Sequence, residues 1–186
     1  YLGIDASHVL DPTMLVDKSV YEALAKSPIT EHSKGNLFCY VLDRSPEKMA
    51  LVKNVAKDNS LTPFELLPKK KYSEIKSAKE LDNCILPPVE QWLRSFVEAE
   101  FVITDSFHGT VFSIIFNKPF IVIPNLKRGA SRFTSLLGHF GLMDHLIDLG
   151  TSPQQEYSPS DHDWSTINER LRIDLQKSFN FMNNVE

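Results

Sequence analysis

The clearest alternation of apolar and polar segments lies between residues 101 and 124, FVITDSFHGTVFSIIFNKPFIVIP. Phe101-Val102-Ile103 reads as a buried strand. Thr104-Asp105-Ser106 interrupts it with residues that favour turns and helix N-caps. His108 and Gly109 follow, and then an apolar run over 111–116, continuous enough for a buried helix starting near Ser106. Asn117-Lys118-Pro119 stops that helix, and 120–123 reads as another strand closed by Pro124. Strand, polar corner, helix, strand is the pattern of a parallel sheet. Ligands of such sheets bind beyond the carboxyl ends of the strands, where the corner 105–109 is predicted to lie.

The rest of the chain follows the same alternation. Asp11-Pro12-Thr13 predicts a capped helix running through Tyr21 and Leu24 to about Lys26. Residues 37–42 (LFCYVL) form the first strand, and 47–58 a helix with Met49, Val52 and Val55 inward. Residues 64–67 are a short strand, and 69–82 a charge-rich loop whose Lys69-Lys70-Lys71 run is solvated. Pro87-Pro88 opens a helix in which Val89, Trp92, Leu93, Phe96 and Val97 repeat at amphipathic spacing. Ser131 caps a helix from Arg132 to about Phe140, ended by Gly141. Residues 146–149 are a short extended piece and 151–160 a connector. A C-terminal helix over 161–183, begun by Asp161 or Asp163, carries the stripe Trp164, Ile167, Leu171, Leu175, extended by Phe179. The expected fold is α/β: one Rossmann-like domain over 1–186, a parallel sheet with flanking helices. The order of the strands is not readable from the pattern.

Composition narrows the classes. The 186 residues are 42 % hydrophobic and 24 % charged, ordinary for a globular chain. A net charge of −4 gives no bulk attraction for nucleic acid. No apolar run is long enough to span a bilayer, and a cytoplasmic location is expected. Cys39 and Cys84 form no CxxC pair and read as reduced structural thiols. The chain opens Tyr1-Leu2-Gly3-Ile4, without an initiator Met or a signal-peptide pattern, and is expected to be a piece of a longer protein.

The corner carries the candidate chemistry. A helix starting near Ser106 leaves its first N–H groups without intrahelical partners, at the positive end of the dipole. Gly109, lacking a Cβ, would let an anionic ligand approach the backbone. His108, in the first turn, would gain proton affinity as an anion binds, which suits acid–base work. The alternative is a corner His bonded to a backbone carbonyl. Ser106 is an N-cap rather than a nucleophile, for no G-x-S-x-G surrounds it. Arg132, a cation at a helix start, calls for a ligand or for a salt bridge to Asp144 or Asp148. Asn125 is a donor or a turn residue. Neither G-x-G-x-x-G nor a P-loop motif occurs, and the histidines at 8, 32, 108, 139, 145 and 162 lack H-x-x-x-H metal spacing. Surface or capping roles suffice for His139 and His145.

Thr104-Asp105-Ser106-Phe107-His108-Gly109, then Lys118-Pro119-Phe120 and Ser131-Arg132-Phe133, resembles the polysaccharide pyruvyl transferase family. Leu10-Asp11-Pro12-Thr13 and Asp163-Trp164 are similar to its members too, so the resemblance spans nearly the whole chain as the carboxyl-terminal half of such a protein. It implies a fold similar to the second domain of a two-domain GT-B-type transferase, with an N-terminal domain outside this chain. It implies transfer of pyruvate from phosphoenolpyruvate to two hydroxyls of a sugar, giving a ketal and phosphate, in bacterial surface polysaccharide biosynthesis. The acceptor would be lipid-linked, with no cofactor and no metal. The resemblance makes His108 catalytic and Ser106, Gly109, Thr110, Asn125 and Arg132 substrate-binding. Some members carry Arg-Leu-His where this chain has Ser106-Phe107-His108, so the missing charge must come from elsewhere, with Arg132 as candidate. The competing reading is the nucleotide-sugar-binding half of a GT-B glycosyltransferase. It expects a carboxylate for a ribose after the central strands, and Asp105 is too early for that.

Overall fold

The computed structural model describes residues 3, 7–70, 72–124, 129–149 and 163–184. At its centre are four parallel strands: β1 (Leu37–Tyr40), β2 (Pro63–Phe64), β3 (Phe101–Thr104) and β4 (Phe120–Val122). They lie in the order β2-β1-β3-β4. Helices α1 (Lys18–Ala25), α2 (Pro46–Asp58), α3 (Val89–Glu98), α4 (Phe107–Ile115), α5 (Ala130–Phe140) and α6 (Trp164–Asn183) flank the sheet. The α/β, Rossmann-like arrangement read from the sequence is the one observed.

The two faces of the sheet explain the unbroken apolar runs. Phe38, Val102, Phe120 and Val122 point into a large core closed by residues of α1, α3, α4, α5 and α6. Leu37, Cys39, Phe101, Ile103 and Ile121 point the other way, onto Leu51, Val52, Val55 and Ala56 of α2. A strand buried on both faces has no polar side to alternate with. Burial also pushes the Cys39 thiol up to about 12, so it stays protonated and inert. Both cysteines are free.

Several element boundaries differ from the expectation, each for a local reason. Strand β1 ends at Tyr40 rather than Leu42, because the Leu42 and Asp43 amides turn to donate to the Asp105 carboxylate at 2.7 and 3.0 Å. On α2, Leu51 and Ala56 are buried with Val52 and Val55, while Met49 is only half-buried. The 64–67 strand reduces to an edge pair whose Pro63 has no N–H to give to a ladder. The first helix splits: a 3-10 turn, Pro12–Leu15, stops at extended Val16, and Asp17 restarts α1 by accepting from the Ser19 amide at 2.8 Å. In place of the loop expected over 69–82, the described residues include the 3-10 stretches Tyr72–Glu74 and Ala78–Cys84, and Lys70 pairs with Glu80 at 3.0 Å. Val89 is exposed, whereas Leu93 and Phe96 are buried. Residues 146–149 give a single bridge, Leu146 to Val122, instead of a strand.

Helix α4 ends where predicted. Asn117 takes φ 54°, its amide donates to Ile114 O at 3.0 Å, and the Lys118 amide donates to Ser113 O at 2.9 Å. That is a Schellman closure with Asn in the left-handed position usually given to Gly. Gly141, φ 73°, closes α5 the same way. At the start of α5 the expectation misses: the helix begins at Ala130, so Ser131 sits inside the first turn and is not its cap. In α6, Asp163 caps by accepting from the Ser165 amide at 3.0 Å, and Asp161 lies outside the described residues. Phe179 is 41 % exposed and does not extend the buried stripe; Asp174 and Ser178 are buried instead.

Candidate active site

Every residue of the corner after β3 has an assigned task. The Thr104 hydroxyl donates to Tyr40 O at 2.8 Å and accepts from the Ser106 amide at 3.0 Å. The Ser106 hydroxyl accepts from the Gly109 amide at 3.3 Å, the N-cap role expected of it. Thr110 donates to Ser106 O at 3.1 Å, and Ser113 to Gly109 O at 2.8 Å. A Cβ on Gly109 would stand 2.2 Å from Thr104 Oγ1. Gly109 is therefore required by packing, since it lets α4 seat on the last residue of β3. The close ligand approach inferred from the sequence has no room on that side. Ser106, Gly109 and Thr110 are all buried, and they build the corner from behind.

Asp105 is the internal anchor. Its side chain has no exposure, and besides the two amides of the β1 loop it accepts from Lys48 Nζ at 2.6 Å. Lys48, on α2, is itself buried. A fully hydrogen-bonded carboxylate and its lysine thus clamp β3, the β1 loop and α2 at one sheet edge.

His108 faces outward. Its side chain is 56 % exposed, and Nε2 stands 3.8 Å from Asp11 Oδ2. The other carboxylate oxygen of Asp11 accepts from the Thr13 amide at 2.9 Å and the Thr13 hydroxyl at 2.6 Å. One aspartate therefore caps the 3-10 turn and presents its second oxygen to His108. Burial and the Asp11 carboxylate both push the neighbouring Tyr21 phenol up. The partner of His108 is thus a carboxylate 97 positions upstream, and the backbone-carbonyl alternative is not what the geometry shows.

A cleft of 520 Å³ opens beside this pair, lined by His8, Asp11, Phe107, Arg132, Ser135 and His139 among others. The Arg132 guanidinium lies 5.1 Å from the centre of the Phe107 ring, so α5 delivers its cation to the start of α4. The edge shared by these two helices, expected from the parallel sheet, is present. The first-turn amides of Phe107 and His108 precede the intrahelical bonding pattern and sit at this positive end. Arg132, the start of α4 at Phe107 and the lining imidazoles of His8 and His139 form a cleft that can hold a phosphate or carboxylate. Asn125, Lys127 and Arg128 lie outside the described residues.

The model of the polysaccharide pyruvyl transferase family matches residues 1–127 of the 186. The chain belongs to that family. The match takes in Asp11, the corner and His108, and it stops before Ser131-Arg132-Phe133 and Asp163-Trp164, so it is shorter than the nearly complete resemblance read from the motifs. No curated protein matches the chain. As a pyruvyl transferase family member the chain is an enzyme of that general activity, with a pyruvate donor and a sugar acceptor. Among the described residues no helix is long and apolar enough to cross a membrane, and no cluster of metal-ligand type occurs.

Two features of this pyruvyl transferase chain escaped the sequence reading. Asp11 was legible as a cap but not as the partner of His108. His139 and His145, for which surface or capping roles suffice by sequence, each have a specific bonding partner. His145 is buried, stacked on Phe120 at 4.2 Å, with Nδ1 2.7 Å from Phe120 O. His139 Nε2 bonds Asp174 Oδ2 at 2.5 Å.

Proposed function

We propose that the chain carries the donor site of a ketal pyruvyltransferase that uses phosphoenolpyruvate. The acceptor is a sugar with two hydroxyls, carried on a lipid, in the biosynthesis of a bacterial capsule or exopolysaccharide. A further domain outside this chain supplies the opposite wall, in the manner of a GT-B transferase. The supporting observation is the exposed His108 standing 3.8 Å from Asp11, which lines a cleft together with Arg132.

Phosphoenolpyruvate bears a phosphate and a carboxylate. Arg132 and the first-turn amides of α4 offer charge and N–H donors to them, and Arg132 replaces the arginine that other members carry two residues before the His. His108, protonated and steadied by Asp11, gives its proton to the methylene carbon as general acid. The donor C2 then becomes electrophilic, and one sugar hydroxyl adds to it. Phosphate leaves with the C–O bonding pair, and the second hydroxyl closes the ketal. Of the two hydroxyl protons, one replaces that spent by His108 and the other goes to phosphate, so atoms and charge balance. Ser106, Gly109 and Thr110 serve this scheme by fixing the α4 start, and Asn125 by contacting the donor.

In the full-length protein, phosphate release from phosphoenolpyruvate should require a glycoside acceptor. His108→Ala should lower that rate by about 10²–10⁴-fold, the range for losing a general acid. Unchanged turnover in His108→Ala would remove the assignment. Histidine NMR shifts that respond to a nucleotide sugar but not to phosphoenolpyruvate would favour the GT-B glycosyltransferase reading.

A further inference from the structure

Two imidazoles line the cleft, those of His8 and His139. His139 sits in the last turn of α5, lines the same 520 Å³ space as Asp11 and Arg132, and is partly exposed to it. Its Nε2 is bonded to Asp174 Oδ2 at 2.5 Å, and Asp174 is buried on α6. Lys177 holds the other Asp174 oxygen at 3.3 Å. Burial would raise the Asp174 carboxyl, yet the bonds from His139 and Lys177 outweigh it and hold the group below the usual carboxylate range. The Arg170 side chain donates to the His139 carbonyl, so the backbone of that turn is pinned from the same helix. With Nε2 committed to the Asp174 carboxylate, Nδ1 is the ring nitrogen left for a ligand. This is how a buried carboxylate orients a catalytic imidazole as a base. The nearby groups are His8, whose ring is 5.5 Å away, Asp174, Lys177, Arg170, and Arg132 and Asp11, which line the same cleft. His139 and Asp174 lie outside the residues that match the family model.

We propose that His139 is the general base for the attacking sugar hydroxyl, with Asp174 as its positioning residue. The inference rests on the phosphoenolpyruvate reading above. The hydroxyl O–H bond breaks, its proton goes to His139 Nδ1, and the oxygen pair forms the C–O bond to donor C2. His139 later passes that proton to the departing phosphate. Acid and base are linked through Asp11, which stands 3.8 Å from His108 and lines the cleft with His139.

The test separates this role from a tether between α5 and α6. His139→Gln keeps an N–H for Asp174 but cannot take up a proton. In the full-length protein it should lower kcat about 100-fold and abolish the acid-side fall of the pH–rate profile, while KM for phosphoenolpyruvate and Tm stay near wild type. Asp174→Asn should lower kcat less and displace that limb. Should His139→Gln not fold, His139→Ala with added imidazole decides: restored turnover supports the base, and no restoration overturns it. Wild-type kcat with an intact acid limb in His139→Gln overturns it while leaving the donor reading in place. Absence of phosphoenolpyruvate turnover in the wild type removes both.

Discussion

Gly109 has a packing reason that its place in the sequence does not reveal. The sequence places it at a helix start where a ligand could reach the backbone, but the structure fills that space with Thr104. The Thr104 hydroxyl cannot swing aside cheaply, since it bonds both Tyr40 O and the Ser106 amide. Gly109→Ala should therefore destabilise the protein by about 1–3 kcal/mol through overpacking, read as a lower urea midpoint with unchanged m. A midpoint equal to wild type would show that the corner tolerates the methyl group. His108 is the opposite case: its motif stands out in the sequence, but the carboxylate beside it does not. Asp11 looks locally like a helix cap, and nothing in its own segment reports that one oxygen is spare.

At the scale of elements, caps and polar clusters decide boundaries that hydrophobic periodicity leaves open. The apolar spacing through Tyr21 and Leu24 suggested one continuous helix, and Asp17 divides it by capping a new one. Helix α3 illustrates a polar joint. Glu98 accepts from the Ser33 amide at 2.7 Å, from Arg94 Nε at 2.8 Å, and contacts His32 Nδ1 at 2.7 Å, tying the 30–33 loop to the helix end. Burial would push this carboxyl up, but the Ser33 amide and the Arg94 and His32 bonds bring it down to about 2. A carboxyl lower in the folded state stabilises fully above its ordinary range. That contribution is lost as pH falls from about 4.5 toward about 2. Urea midpoints at about pH 5 and about pH 3 should differ more in wild type than in Glu98→Gln. Equal pH dependence in the two would show that the joint contributes nothing.

At the scale of the whole molecule, one sheet edge gathers the chemistry. The β1 loop, the corner after β3 and the start of α5 meet there, and the Asp11 segment and the end of α5 close the cleft. Ser178 of α6 accepts from the Leu10 amide at 3.1 Å, so the last helix holds the first segment against the cleft. The edge depends on the Lys48–Asp105 pair. Asp105→Asn would leave a buried ammonium without its carboxylate, at a cost of about 3–5 kcal/mol. Adding Lys48→Met to that variant should recover much of the loss, and additive costs in the double-mutant cycle would mean the pair is not coupled.

The sequence determined the alternation of strands and helices, the buried β3–α4–β4 unit, the turn chemistry at Asn117 and Gly141, and the family motif around His108. These follow from local propensity, periodicity of two or about 3.6, and capping, which act between near neighbours. Strand order, the pairing of His108 with Asp11, the packing reason for Gly109 and the His139–Asp174 dyad were decided only by the tertiary structure. Each joins residues on separate elements, and an isolated side chain carries the same chemical capacity whichever partner the fold brings to it.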